Sequence, residues 1–262
     1  MDAPLRLRTA YVPVRRDDRH LQLGIDPPRR AVLPDTADVR RLLADLGVGL
    51  CVPPPTVAAR RALEVLREAG LVEPVVASPR IEVRIEGPPA WADTVRTLLA
   101  SAALDRPVIH GHDAGRHRAG PPVVVLLAAG PLPRERTDPH LRLGTPHLVV
   151  EGGPDAWTVG PFVVPGTTAC LRCVDAALGE EDPRRSLVID QLAHHHPPPP
   201  TDPLLQAIAL PWAARELTAY AAGDRPACWS TTYTLRRDGS PQVRTWPRHP
   251  HCGCAWDLLA PR

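Results

Sequence analysis

The sequence predicts an α/β protein in two parts: a winged-helix module of three strands plus helices over residues 1–75, then an α/β domain with a structural zinc site over residues 76–262. Three observations carry that expectation. Short strand patterns give way to two amphipathic helical patterns within the first 75 residues. Buried-strand and helix patterns then alternate, as in a partly parallel sheet. Finally, four of the six cysteines fall in two tight pairs, Cys170/Cys173 and Cys252/Cys254.

In chain order, RTAYVPVRR, HLQLGI and RRAVLP read as strands, separated by the turn signals DDR and DPP. DTADVRRLLADLG reads as a helix capped by Asp35 or Thr36, with Val39, Leu42, Leu43 and Leu46 on one face. PPPTVAARRALEVLREAG reads as a second helix, with Ala59, Leu63 and Leu66 along a face and Gly70 at its end. After Pro74, IEVRIEG is a strand and PPAWADTVRTLLASAAL a helix. RPVIH, the fully buried PPVVVLLAAG, HLVVE and WTVGPFVVPG follow as strands. QLAHHHPPPPTDP reads as a loop, LLQAIALPWAARELTAYAAGD as an apolar helix kinked at Pro211, and TYTLRRDGSPQVRTW as a closing hairpin.

Composition narrows the chemistry. Hydrophobic residues make up 44% of the chain, enough for a packed core, and the net charge of +2 selects no class of partner. All 31 basic residues are arginine, so a P-loop lysine, a Schiff-base lysine and a lysine general base are excluded together. No apolar run approaches a membrane span, and MDAPLRLRTAYVPVRR lacks the apolar stretch of a signal peptide, so a cytoplasmic protein without a membrane partner is expected. In a reducing compartment, paired cysteines point to metal more than to disulfides.

Two short cysteine knuckles can aim four thiolates at one tetrahedral ion, and four protein ligands leave no open position for a substrate. Cys170, Cys173, Cys252 and Cys254 are therefore the expected ligands of a structural zinc, ahead of a redox role for Cys170-x-x-Cys173. Cys51 and Cys228 read as buried small hydrophobes, and His194–His196, running into four prolines, as a solvated loop. No GxSxG motif and no carboxylate pair marks a catalytic centre. Where a nucleotide-binding chain carries G-x-G-x-x-G, this one has Gly87-Pro-Pro-Ala-Trp-Ala92, and Pro89 brings no amide to a phosphate. ATP is not expected to bind this chain.

VGPFVVPGTTACLRCVDAALGEEDP and RHPHCGC resemble signature segments of the ThiF-like proteins of azole-containing peptide biosynthesis, the leader-peptide-binding partners of YcaO-type cyclodehydratases. The order of elements agrees with that family from about residue 5 onward. The resemblance implies a degenerate ThiF-like Rossmann-type domain, similar in fold to ubiquitin-activating enzymes, and sets the same four cysteines on the family's zinc ligands. It also implies that residues 1–75 form a PqqD-like recognition element, in which a leader peptide adds as a strand beside RAVLP and lies against the helix that follows Thr56. Ala31, Val32, Leu33, Ala59, Arg60, Leu63, Leu66 and Arg67 are the groove residues this implies, with Arg61 also available to an acidic leader. The chain departs from the family at GVGLCVPPP, where a further helix would stand.

The function expected is thus a non-catalytic scaffold that captures the leader of a ribosomally made precursor peptide and presents it to a YcaO-type enzyme, using zinc for structure. Tethering the leader makes the encounter of peptide and enzyme intramolecular. A homodimer is compatible with this reading. The alternatives are an ATP-dependent adenylating enzyme acting on a peptide, and a DNA-binding winged helix. The mixed charges of DTADVRRLLADLG offer the second of these no basic face, so no nucleic-acid partner is expected.

Overall fold

The structure, a computed structural model, describes residues 4–8, 11–49, 56–75, 81–101, 108–109 and 120–255. The chain divides into two compact units, residues 1–77 and 78–262.

The first unit opens with β1 (Leu5–Leu7), followed by β2 (Val14–Arg15), β3 (His20–Leu23) and β4 (Ala31–Pro34). Helices α1 (Ala37–Gly47) and α2 (Val57–Glu68) and strand β5 (Val72–Pro74) complete it. The order β2-β3-β4 forms an antiparallel sheet, while β1 pairs separately with β5. RTAYVPVRR is therefore not one strand: the Tyr11 amide turns back onto the Arg8 carbonyl at 3.0 Å, and pairing resumes only at Val14. Thr36 and Thr56 cap the two helices, each hydroxyl accepting from an amide in the first turn. The predicted face of α1, Val39, Leu42, Leu43 and Leu46, is buried, as are Ala59, Ala62, Leu63 and Leu66 of α2. These close over Leu21, Leu23, Ala31 and Leu33 in one core.

The second unit contains β6 (Ile81–Glu86), α3 (Pro89–Ser101), β7 (Val108–Ile109), β8 (Gly120–Ala129), α4 (Asp138–Arg142), β9 (His147–Gly152) and β10 (Ala156–Val163). Next come α5 (Leu171–Glu181), α6 (Arg185–Ala193), α7 (Pro203–Ala221), β11 (Thr231–Arg236) and β12 (Pro241–Thr245). Its seven-stranded sheet runs β12-β11-β10-β9-β8-β6-β7. The pairs β6/β7, β6/β8 and β8/β9 are parallel, and from β9 to β12 the pairing is antiparallel.

Strand β8 reads as one apolar run because both of its faces are covered. Val123, Val125 and Leu127 join α3 and α7 in the main core, whereas Val124, Leu126 and Ala128 pack with Val149 and Leu171 on the other side. Asp202 caps α7, accepting from the amides of Leu204 and Leu205, and Pro211 lies inside that helix. The predicted loop after Cys173 is partly helical: α6 ends at Ala193, and His194 closes it by bonding the Asp190 carbonyl and Glu135. No helix among the described residues is long and apolar enough to cross a membrane.

Gly160 interrupts the register of β10 with φ of +100°; a Cβ there would stand 2.2 Å from the Thr231 carbonyl oxygen, so only glycine lets β10 and β11 close up.

His147, at the head of β9, is fully buried. Its Nδ1–H donates to the Thr145 carbonyl at 3.0 Å, while Nε2 has no partner. Burial pushes its pKa down from 6.5 to about 4, the Thr145 carbonyl opposing and His140 adding to the shift. Between those two values the unfolded chain binds the extra proton, so stability present above pH 6.5 is lost as the pH falls toward 4. A His147→Gln variant is expected to remove roughly 3 kcal/mol of this acid-side loss, read as the difference between the two proteins' urea midpoints across a pH series.

Candidate metal centre and candidate peptide-binding edge

The CLRC segment sits where β10 hands over to α5. Thr168 fixes the approach by accepting from the Val164 amide at 2.7 Å, and the Ala169 amide donates to the Ser230 hydroxyl at 2.9 Å. Cys170 occupies the N-cap position of α5, with extended backbone, and its carbonyl accepts from the Cys173 amide at 2.9 Å. One helical turn thus sets the two sulfurs side by side. Cys252 and Cys254 arrive from beyond β12, on a turn closed by the Cys252 amide on the His249 carbonyl and by the Arg248 guanidinium on the Cys254 carbonyl.

The four sulfurs converge. Cys170 lies 3.7 Å from Cys173, 3.6 Å from Cys252 and 3.4 Å from Cys254, with 3.2 Å between Cys173 and Cys254. All four lie within 4.8 Å of one another. A tetrahedral ion with Zn–S bonds of about 2.3 Å has sulfur edges of about 3.8 Å, so the cluster has the size of a four-thiolate zinc site slightly contracted. Cys170, Cys173 and Cys252 are buried, against Val163, Val174 and Trp246. Cys173 is pushed well below the ordinary thiol range, first by the Cys170 thiol and then by its other sulfur neighbours, with the His249 amide adding. The donor set therefore fits a soft divalent cation with no coordination position left over.

Around the cluster, His249 reaches Glu180 at 3.0 Å, Arg244 pairs with Glu181 at 2.7 Å and stacks on Trp246, and the Trp246 indole donates to Thr232. The His249 and Arg244 contacts tie this segment to α5, and the Trp246 indole closes the hairpin on itself, independently of any ion. Cys228 stands apart: it is buried, its thiol donates to the Val159 carbonyl at 3.6 Å, and burial raises its pKa, ahead of the charge of Glu216. Cys51 lies outside the described residues.

A constellation that local spacing did not reveal lies beside the cluster. Arg134 donates from Nε and Nη2 to both oxygens of Asp175, at 2.6 and 2.9 Å, and from Nη1 to Glu151 at 3.0 Å. Burial disfavours its charge, but the Asp175 hydrogen bond and the charge of Glu151 more than compensate, so its pKa is raised. Asp175, the aspartate just after CLRC, thus anchors α5 to the segment after β8. Its partner is 41 residues away in sequence, beyond any local motif.

The Gly87 turn is shaped by packing. A Cβ on Gly87 would meet the Leu127 carbonyl oxygen at 2.5 Å, which accounts for the glycine without a ligand. Pro88 and Pro89 carry no amide hydrogen, and the Trp91 and Ala92 amides both bond the Pro88 carbonyl at 3.0 Å. Trp91 itself packs on Trp157, with ring centroids 4.6 Å apart.

In the first unit, β4 pairs only with β3 among the described residues and forms the edge of that sheet. The Asp35 amide bonds the Arg19 carbonyl, and the register pairs Leu33 with Leu21 and Ala31 with Leu23. By the alternation of an antiparallel ladder, those residues direct their polar backbone at β3, leaving the Val32 N–H and C=O aimed at the free edge, while the Pro34 carbonyl accepts from the Thr36 amide at 3.0 Å. Of the predicted groove residues, Ala31, Leu33, Ala59, Leu63 and Leu66 lie together in the core, each at most 5% exposed. Val32 is 38% exposed, as is Val65 of α2. Arg60 and Arg67 are exposed on α2.

The class of protein that fold and site define is a two-unit α/β chain whose second unit is clamped by four cysteines. Its described fold is similar to that of a heterocyclase solved in complex with substrate and cofactor, with a TM-score of 0.65 and 15% identity over 97% of this chain and 40% of the other. The heterocyclase TruD gives a TM-score of 0.65 at 16% identity, over 97% of this chain and 43% of TruD. Escherichia coli MccB, solved with AMPCPP and MccA, gives 0.59 at 13% identity, over 95% of this chain and 99% of MccB. The chain therefore spans about two-fifths of the heterocyclases and nearly all of MccB, and at these identities the likeness is one of fold. No protein-family model and no curated protein sequence matches it.

Proposed function

We propose that this chain is a non-catalytic scaffold in the modification of ribosomally made peptides, binding a leader peptide on its first unit and presenting it to a YcaO-type cyclodehydratase. The observation that carries this reading is the β4 edge, where the exposed Val32 turns one N–H and one carbonyl away from β3. An extended peptide added there gains backbone hydrogen bonds, and Val32 and Val65 give its side chains apolar contact. Arg60, Arg61 and Arg67 supply positive charge for an acidic leader. The likeness in fold to a heterocyclase and to MccB, both solved with what they act on or bind, supports a peptide role.

On this reading the first unit is a PqqD-like recognition element. The second is a ThiF-like domain without a working nucleotide site, held by structural zinc at Cys170, Cys173, Cys252 and Cys254. Ring formation belongs to the partner. The alternative, adenylation of a peptide by this chain, requires phosphate binding at the Gly87 turn, where Pro88 and Pro89 supply no donor.

Val32→Pro tests the edge directly, because it removes the outward amide and no ladder bond. Fluorescence polarisation with labelled candidate leader peptides is expected to show at least a tenfold loss of affinity for Val32→Pro, and little change for Val32→Thr. Equal binding by wild type and Val32→Pro would place the leader elsewhere.

A further inference from the structure

A sheet face covered by helices is ordinarily apolar. The outer part of the second unit breaks this rule. On one side of β10, β11 and β12, Val159 and Leu235 join the main core with α7. On the other side, beneath α5 and α6, the register aligns Thr158 with Thr234 and Gln242, and Thr232 with Arg244. The hydroxyls of Thr158 and Thr234 are 3.1 Å apart. Gly160 contributes no side chain, and a hollow of about 330 Å³ remains, also lined by Arg134, Arg185 and Arg236.

The charges do not cancel. Arg134 is matched by Asp175 and Glu151, and Arg244 by Glu181. Arg185 and Arg236 form no ion pair among the described residues, and Arg185 Nε is buried without an acceptor. The hollow is thus lined by four guanidinium groups and by the carboxylates of Glu151 and Asp175, which Arg134 already occupies; the excess of positive charge, with neutral hydroxyls and one amide, has the chemistry of an anion receptor, in which arginine binds planar oxyanions through paired donors.

We propose that this hollow is a binding site for an oxyanion, the carboxylate or phosphate of a small ligand, held by Arg185 and Arg236 with Thr158 and Thr234 as neutral partners. The site stands on the second unit alone and does not depend on leader capture at β4.

Trp246 lines the same hollow and serves as a reporter. Full-length, metal-replete protein would be titrated at constant ionic strength with three probes: sodium phosphate, acetyl-Ala-Ala bearing a free carboxylate, and its C-terminal amide. A saturable fluorescence change is expected for phosphate or the free-carboxylate peptide, and none for the amide; which of the two saturates identifies the source of the oxyanion. Arg185→Gln and Arg236→Gln should each weaken binding at least tenfold, while Arg96→Gln, on α3, should leave it unchanged. Arg236 is exposed, so its variant reads the site even if Arg185→Gln disturbs folding. Absence of saturation with both anions, or equal affinity in wild type and Arg236→Gln, would overturn the proposal.

Discussion

Cys173→Ser is expected to abolish metal binding and to destabilise the second unit by at least about 3 kcal/mol. Structural four-cysteine sites owe their affinity to the complete ligand set, and their binding free energy becomes folding free energy when no site exists in the unfolded chain. Here the second unit has a large core of its own, and His249 and Arg244 also hold the hairpin to α5, so loss of the ion should loosen this corner without unfolding the whole chain. Elemental analysis should give one zinc per wild-type chain and none for Cys173→Ser. Hydrogen exchange should accelerate first in the turns around Cys252 and the start of α5, with the first unit unaffected. Cys228→Ala provides the contrast, because that thiol bonds a carbonyl inside the core and takes no part in the cluster. A stoichiometric metal that survives Cys173→Ser would remove the clamp from this account.

Arg134→Met is expected to have the other large effect. It leaves Glu151 and Asp175 facing one another with side chains only 21% and 17% exposed, and breaking one partner of a buried ionic group costs about 3–5 kcal/mol. Partial hydration of both carboxylates places this case near the lower end. The double variant Arg134→Met/Asp175→Leu should recover part of the loss, since it removes one of the stranded charges. A loss below about 1 kcal/mol in urea for the single variant would mean that the cluster is effectively solvated. Because Asp175 follows Cys173 by two residues on α5, the variant should also reduce metal retention under a chelator.

The contrast between these two sites explains how much of the protein could be read from its sequence. The cysteine pairs were legible because each knuckle is local, two or three residues long, and the chemistry of four thiols admits few alternatives. The cap Thr36, the apolar faces of α1 and α2 and the buried run of β8 were legible for the same reason: their signals lie within one element. The Arg134 cluster was not legible, because its members come from three segments and none carries a motif. Helix α6 was not marked in the sequence, and its last three residues fell in the predicted loop, because it has no buried residue and so no apolar stripe. Pairing of β1 with β5 was invisible in principle, since short strands do not specify partners 67 residues away, the separation of Arg6 and Glu73. At the groove, periodicity placed Ala59, Leu63 and Leu66 on one face of α2, and the family resemblance added Ala31, Val32 and Leu33, but neither could separate a face buried in the core from one open to a partner.

The sulfur cluster also has a consequence in time. Cys170 and Cys252 are 82 residues apart, with α5, α6, α7 and both strands of the hairpin between them. During synthesis the first pair of thiols is exposed to the cell long before the second pair exists, and an ion met at that stage can be held by only two protein ligands. Full coordination becomes possible only after β11 and β12 have added to the sheet beside β10 and carried the last two cysteines into place. The identity of a metal held by all four thiolates would therefore be settled only once the hairpin is in place, so growth conditions that change which soft cations are free are expected to alter the metal content of the purified protein more readily than its fold.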